Sequence, residues 1–116
     1  MNVCGGHERS ITMAGLRKAL PEYIELVPGP GCPVCVCPEE DVFEAIQLAL
    51  NEDIILVAFG DMLRVPVNVA KAQARTLEQA KAQGADIRPI ASPTEAVKIA
   101  NDNKDRAVVF FAAGFE

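Results

Sequence analysis

Positive charge is scarce in this chain. Eleven lysines and arginines stand against 16 aspartates and glutamates, for a net charge of −5. Phosphate backbones are bound by basic faces, so this balance argues against nucleic acid as the main partner. Long apolar runs are also missing: nothing approaches the ~20 residues of a membrane-spanning helix. No secretory leader is legible, because Met1-Asn2-Val3 leads directly into a cysteine motif, and a cytoplasmic, reducing setting is expected. Histidine occurs once, at His7, and no cysteine follows Cys37. Structural zinc is usually closed by four ligands in two separated pairs. Only one Cys-x-x-Cys pair is present, so zinc is the weaker reading of the cysteines. No internal repeat or low-complexity segment interrupts the chain.

What is present is a hydrophobic chain with localised thiols. Half of the 116 residues are hydrophobic, which argues against disorder and suffices for a core without disulfide support. All four cysteines fall within the first 37 residues. Cys4 opens Cys4-Gly5-Gly6-His7. The other three lie in Gly29-Pro30-Gly31-Cys32-Pro33-Val34-Cys35-Val36-Cys37-Pro38. Core cysteines are usually scattered over helix and strand faces. Thiols grouped on turn-forming sequence serve a metal, a redox partner or each other.

The rest of the chain alternates short apolar runs with helical patterns. The runs are Met1–Val3, Ile24–Val27, Ile54–Phe59, Ile87–Ile90 and Ala107–Ala112, and their continuous hydrophobicity suits strands buried on both faces. Helices are expected over Ser10–Leu20, Glu39–Leu50, Asn68–Gln83 (closing at Gly84) and Thr94–Ala100 (after Ser92-Pro93). The expected fold is a three-layer α/β/α domain over 1–116, with a mainly parallel, doubly wound sheet of about five strands and four helices. Met1–Val3 is short for a strand, and no helix follows the last apolar run. Both ends therefore read as cut, and the chain as a fragment of a larger multi-domain protein. Ligands in such folds collect beyond the carboxyl ends of the strands. The turns holding Cys4, Cys32, Gly60-Asp61 and Gly114 would all lie there.

Cys32 and Cys35 can close a disulfide, shuttle two electrons or chelate a metal, and a helix starting near Pro38-Glu39 would lower nearby thiol pKa values. Cys37 is as compatible with packing as with chemistry. Cys4 with His7 suits a soft or borderline metal such as iron, copper or zinc, or a nucleophile–base pair. In Phe59-Gly60-Asp61-Met62-Leu63-Arg64-Val65-Pro66, Asp61 and Arg64 can orient a ligand or pair with each other. Glu116 places a carboxylate after the last run.

Four motifs in order carry a family resemblance: Cys4-Gly-Gly-His7, Gly29-Pro-Gly-Cys-Pro-Val-Cys35, Phe59-Gly-Asp-x-x-Arg-Val-Pro66 and Gly114-Phe-Glu116. The chain resembles the HypD family of hydrogenase maturation proteins over essentially its whole length, as about the first third of such a protein. The resemblance implies a scaffold for the iron centre of NiFe hydrogenases, an Fe(CN)2CO group. A HypC-type small chaperone would work beside it, and HypE and HypF would deliver cyanide. Cys4 would be the iron-binding thiol, shared with a cysteine of the chaperone. Cys32 and Cys35 would be the redox pair, and His7, Asp61, Arg64 and Glu116 would line the same cleft. The family's 4Fe-4S cluster uses cysteines near the far end of the protein, and this chain has none there. It also departs at Val67-Asn68-Val69, where members carry a Gly-rich turn, and at Glu8-Arg9, where a second histidine can follow His7. Two readings from other classes stand beside this one. A thioredoxin-like thiol–disulfide oxidoreductase would not need Cys4, and a structural zinc module would unfold on chelation.

Overall fold

Six consecutive apolar residues, Ile54–Phe59, form strand β1, and all six are buried. Such burial requires cover on both faces, which a parallel sheet with helices above and below supplies. The computed structural model describes residues 1–29 and 31–114. They form two compact units, Met1–Val36 and Cys37–Glu116.

The second unit runs α4 (Glu39–Asn51), β1, a 3-10 turn (Gly60–Arg64), α5 (Leu77–Ala82), β2 (Ile87–Ile90), α6 (Pro93–Asp102) and β3 (Ala107–Phe111). The strands form a parallel sheet in the order β2-β1-β3, with Leu56 opposite Ile87 and Val109. On one face Ile55, Val57 and Phe59 pack with Ile90 and with Ala96 and Ile99 of α6. Phe59 meets Phe110 edge to face, with centroids 5.4 Å apart. α4 and α5 pack against the sheet and each other, and Val42, Ile46, Leu56, Met62 and Leu77 are fully buried. Each large aliphatic side chain removed from water in this way contributes roughly 1.5–3 kcal/mol. β2 carries Pro89 and lies at the sheet edge, where the missing N–H is tolerated.

The caps follow the sequence. Ser92 caps α6, and Pro93 occupies its first turn. Gly84, at φ 108°, ends α5 with its N–H bonded to the Lys81 carbonyl. Three runs expected as strands are strands, and α4 and α6 fall where the helices over Glu39–Leu50 and Thr94–Ala100 were expected.

Two strands and two helices differ from expectation. Met1–Val3 and Ile24–Val27 contribute only a single parallel bridge, Asn2 to Pro28, so the described sheet has three strands rather than five. The expected helix over Asn68–Gln83 begins at Leu77. Thr76 caps it, its hydroxyl accepting from Gln79 N–H at 3.0 Å, while the Gln79 side chain accepts from Arg75 N–H at 2.8 Å. Upstream, Val67 N–H bonds to the Arg75 carbonyl and the Arg75 guanidinium to the Val69 carbonyl, closing a loop.

The first unit holds α1 (Gly5–Met13), α2 (Leu16–Ala19) and α3 (Pro33–Val36). The helix expected over Ser10–Leu20 starts earlier and breaks at Gly15, whose φ of 62° ends the first segment. None of the described residues of this unit is buried.

An ion network ties the amino ends of the three strands. Arg106, just before β3, donates to Asp86 Oδ2 at 2.7 Å, to Asp53 Oδ1 at 3.1 Å and to the Ile54 carbonyl at 2.9 Å. Arg88 grips Asp86 with two bonds of 2.9 Å. Hydrogen bonds from Arg88, then from Arg106, hold the Asp86 carboxyl at about 2, below its ordinary 3.8. Because the folded-state value is depressed, this stabilisation is complete above pH ~4 and is lost as pH falls towards 2. Asp86→Asn is expected to cost at most about 2 kcal/mol at pH 7. In urea titrations its deficit against wild type should shrink between pH 5 and pH 2.5; a constant deficit would locate the effect elsewhere.

Candidate functional site

Cys4 precedes the first turn of α1, where helix N–H groups lack intrahelical acceptors. Its backbone is held on both sides. Cys4 N–H donates to Asn2 Oδ1 at 3.3 Å, and its carbonyl accepts from Asn2 Nδ2 at 3.2 Å and from Glu8 N–H at 2.9 Å. The sulfur lies over Gly6, where an added Cβ would sit 3.8 Å from it. His7 is exposed on α1, and no hydrogen bond joins it to Cys4 among the described residues, so the nucleophile–base arrangement is not formed.

The second cysteine segment approaches through Gly29. Asn2 N–H bonds to the Val27 carbonyl at 3.0 Å, and Gly29 N–H to the Asn2 carbonyl at 2.7 Å. A Cβ on Gly29 would stand 2.9 Å from both Asn2 O and Val3 Cγ1, so the close approach requires glycine. Gly31, at φ 118°, then turns the chain into α3. Pro33 needs no N–H donor in the first turn, and the amides of Cys35 and Val36 both reach the Cys32 carbonyl at 3.0 Å. One helical turn therefore places Cys32 and Cys35 on the same face.

The two thiols are in hydrogen-bond contact and carry no disulfide. Cys35 is raised above the ordinary thiol value: the hydrogen bond to Cys32 leads, followed by the charge of Cys32, burial and the charge of Cys4. The expected lowering near the α4 start is thus reversed. Cys37, in the second unit, is raised by burial and then by the charge of Asp41. Glu39, Glu40 and Asp41 fill the first turn of α4, making it a poor place for a thiolate.

Asp61 and Arg64 lie on the 3-10 turn at the carboxyl end of β1. Both are exposed, and no salt bridge joins them among the described residues, so the mutual ion pair is not made. Glu116 lies outside the described residues. No three His, Cys, Asp or Glu side chains among the described residues gather to hold a metal ion. The closed ligand set of a structural zinc module is therefore not assembled there.

Three residues whose side chains form a bonded chain beside Cys4 were not singled out from sequence: Asn2, Glu8 and Arg17. Asn2 Nδ2 donates to Glu8 Oε2 at 3.3 Å, and Glu8 pairs with Arg17. Bonds from Arg17, then from Asn2, lower the Glu8 pKa. Arg17 also reaches the Leu26 carbonyl at 3.2 Å and Thr12 Oγ1 at 3.3 Å. An asparagine two residues ahead of a cysteine is an Asx-turn signal and is legible. Arg17 follows no period.

A parallel α/β unit joined to a coreless unit that presents three cysteines defines a protein whose distinctive side chains are thiols. The whole chain, residues 1–116, matches the family described as "HypD: Hydrogenase formation hypA family". It is 49% identical over 116 residues to Hydrogenase maturation factor HypD2 of Bradyrhizobium diazoefficiens. It is 46% identical to the HypD factor of Escherichia coli K12 and 50% identical to that of Azotobacter vinelandii. All of this chain is aligned in each case, and it covers 30% of each relative's length. The chain belongs to the HypD family of hydrogenase maturation factors. Among its described residues no helix is long and apolar enough to cross a membrane.

The Gly29 contact yields a direct prediction. Gly29→Ala should open the bridge to Asn2 at a cost of about 1–3 kcal/mol to that local structure. Amide exchange at Asn2 and Gly29 should accelerate while β1 stays protected; unchanged exchange at both would show that the loop absorbs the methyl group.

Proposed function

We propose that this chain is the thiol-bearing part of a cytoplasmic scaffold on which the iron centre of NiFe hydrogenases is assembled. The cargo is an iron carrying two cyanides and one carbon monoxide. Cys4 is its thiolate donor, a soft ligand suited to low-valent iron. One protein thiolate leaves the other positions to ligands from elsewhere, including a cysteine of a HypC-type small chaperone. HypE and HypF are the source of cyanide. Asp61 and Arg64, exposed and without a mutual ion pair, keep their charges available to ligand or partner. His7 and Glu116 are carried with them by the family motifs alone.

Cys32 and Cys35 are the electron store in this reading. Forming their S–S bond releases two electrons and two protons, and reopening it takes them back. The observation that carries the reading is the grouping of Cys4, Cys32 and Cys35 in one compact unit, in a chain of the HypD family. A 4Fe-4S cluster is a different matter. It requires four thiolates, and the described residues gather no such set. The residues present do not fit a cluster, and no step here passes through one.

Infrared spectroscopy of the protein purified anaerobically with its small chaperone tests the assignment. Bands of iron-bound cyanide and carbon monoxide are expected in the wild type and should vanish in Cys4→Ala; bands of wild-type intensity in that variant would overturn the role of Cys4. Cys35→Ser should abolish hydrogenase maturation with the sheet intact. Normal maturation would remove the redox role, and turnover of generic disulfides without need of Cys4 would favour the oxidoreductase reading.

A further inference from the structure

A unit without a buried side chain must hold its geometry by other means, and here the means is polar. The Asn2 carboxamide makes three bonds: it accepts from Cys4 N–H and donates to the Cys4 carbonyl and to Glu8. The Asn2 backbone makes two more, to Val27 and Gly29 on the segment leading to Cys32. Glu8 is fixed in turn by Arg17, which spans α1 and the Leu26 carbonyl. Both routes out of Asn2 therefore end on the Leu26–Gly29 segment, one directly and one through Glu8 and Arg17. The turn bearing Cys4 and the segment leading to the dithiol are closed into one ring.

We propose that Asn2 and Glu8 are positioning residues that set the place of the Cys4 thiol relative to Cys32 and Cys35. The inference rests on the reading of these cysteines as one working group, and it concerns their spacing rather than their cargo. Asn2 acts through the donor and acceptor of a single amide. Alanine removes both. Aspartate keeps the acceptor for Cys4 N–H but loses the donor to the Cys4 carbonyl and turns a second carboxylate towards Glu8. Replacing Glu8 by glutamine in the aspartate background restores the contact with its direction reversed, the introduced amide now donating to the introduced carboxylate. General loosening of the unit would not be repaired by that second change.

The test is a disulfide trap in which Cys32 and Cys37 are replaced by serine, leaving Cys4 and Cys35. The protein is equilibrated in glutathione redox buffers, and the effective concentration of one thiol at the other is read from the fraction of intramolecular disulfide. Asn2→Ala and Asn2→Asp should each lower it at least ~10-fold, the factor a single lost hydrogen-bonded contact of ~1.4 kcal/mol would give. Asn2→Asp with Glu8→Gln should recover a measurable part of that loss, the part carried by the contact between residues 2 and 8. An unchanged value in folded Asn2→Ala, or no recovery in the double variant, would overturn the proposal. The trap involves no iron, so loss of the infrared bands and loss of the trap are separate results: the scaffold reading can fail while the positioning stands, and the reverse.

Discussion

Every hydrogen bond that fixes the Cys4 turn passes through, or lies beside, a short stretch of backbone between Asn2 and Glu8. The bridge from Asn2 to Pro28 fixes how the second cysteine segment meets the first. The approach is set by the absent side chain of Gly29, and the left-handed turn at Gly31 delivers Cys32 to the start of α3. Without the bridge, Cys4 and the dithiol would be two thiol groups on an otherwise unburied ribbon. With it the two cysteine segments are joined by backbone hydrogen bonds, Asn2 N–H to the Val27 carbonyl and Gly29 N–H to the Asn2 carbonyl.

The second unit obeys a different constraint. Its central strand is apolar on both faces, so helices must cover both. The chain steps from β1 to β2 and then crosses back over β1 to β3, and right-handed crossovers in opposite directions put their helices on opposite faces of the sheet. Hydrophobic burial supplies the stability there, and the ion network ties the amino ends of the strands. The larger unit is therefore held by area removed from water, and the smaller by a few directional bonds. Directional bonds are individually weak, net about 1 kcal/mol each, but they specify geometry.

Much of this was legible in the sequence, for identifiable reasons. Ile54–Phe59 announces a strand buried on both faces because nothing polar interrupts it, and Ser92-Pro93 and Gly84 announce helix ends through backbone chemistry. The cysteine segments were legible by residue type and spacing. Met1–Val3 and Ile24–Val27 were misleading because a single bridge leaves no period to distinguish it from a strand. Asn68–Arg75 has the composition of a helix, but the Arg75 carbonyl and guanidinium bond back into a loop that composition does not encode. The direction of the thiol shifts depended on Cys32 beside Cys35 and Asp41 beside Cys37, which are matters of placement.

The ion network has a consequence for how function in this molecule can be dissected. Arg106, Asp86 and Asp53 lash the strands together at one end of the sheet, while Asp61 and Arg64 stand exposed in the turn after β1, at the other. Met62 between them is anchored in the core, so the seat of the turn does not rest on a bond between its two charged residues. The ion network and the exposed charges are thus divided between opposite ends of the same strands. A substitution at Asp61 or Arg64 can therefore be read apart from the ties between the strands, with the folded sheet as its control.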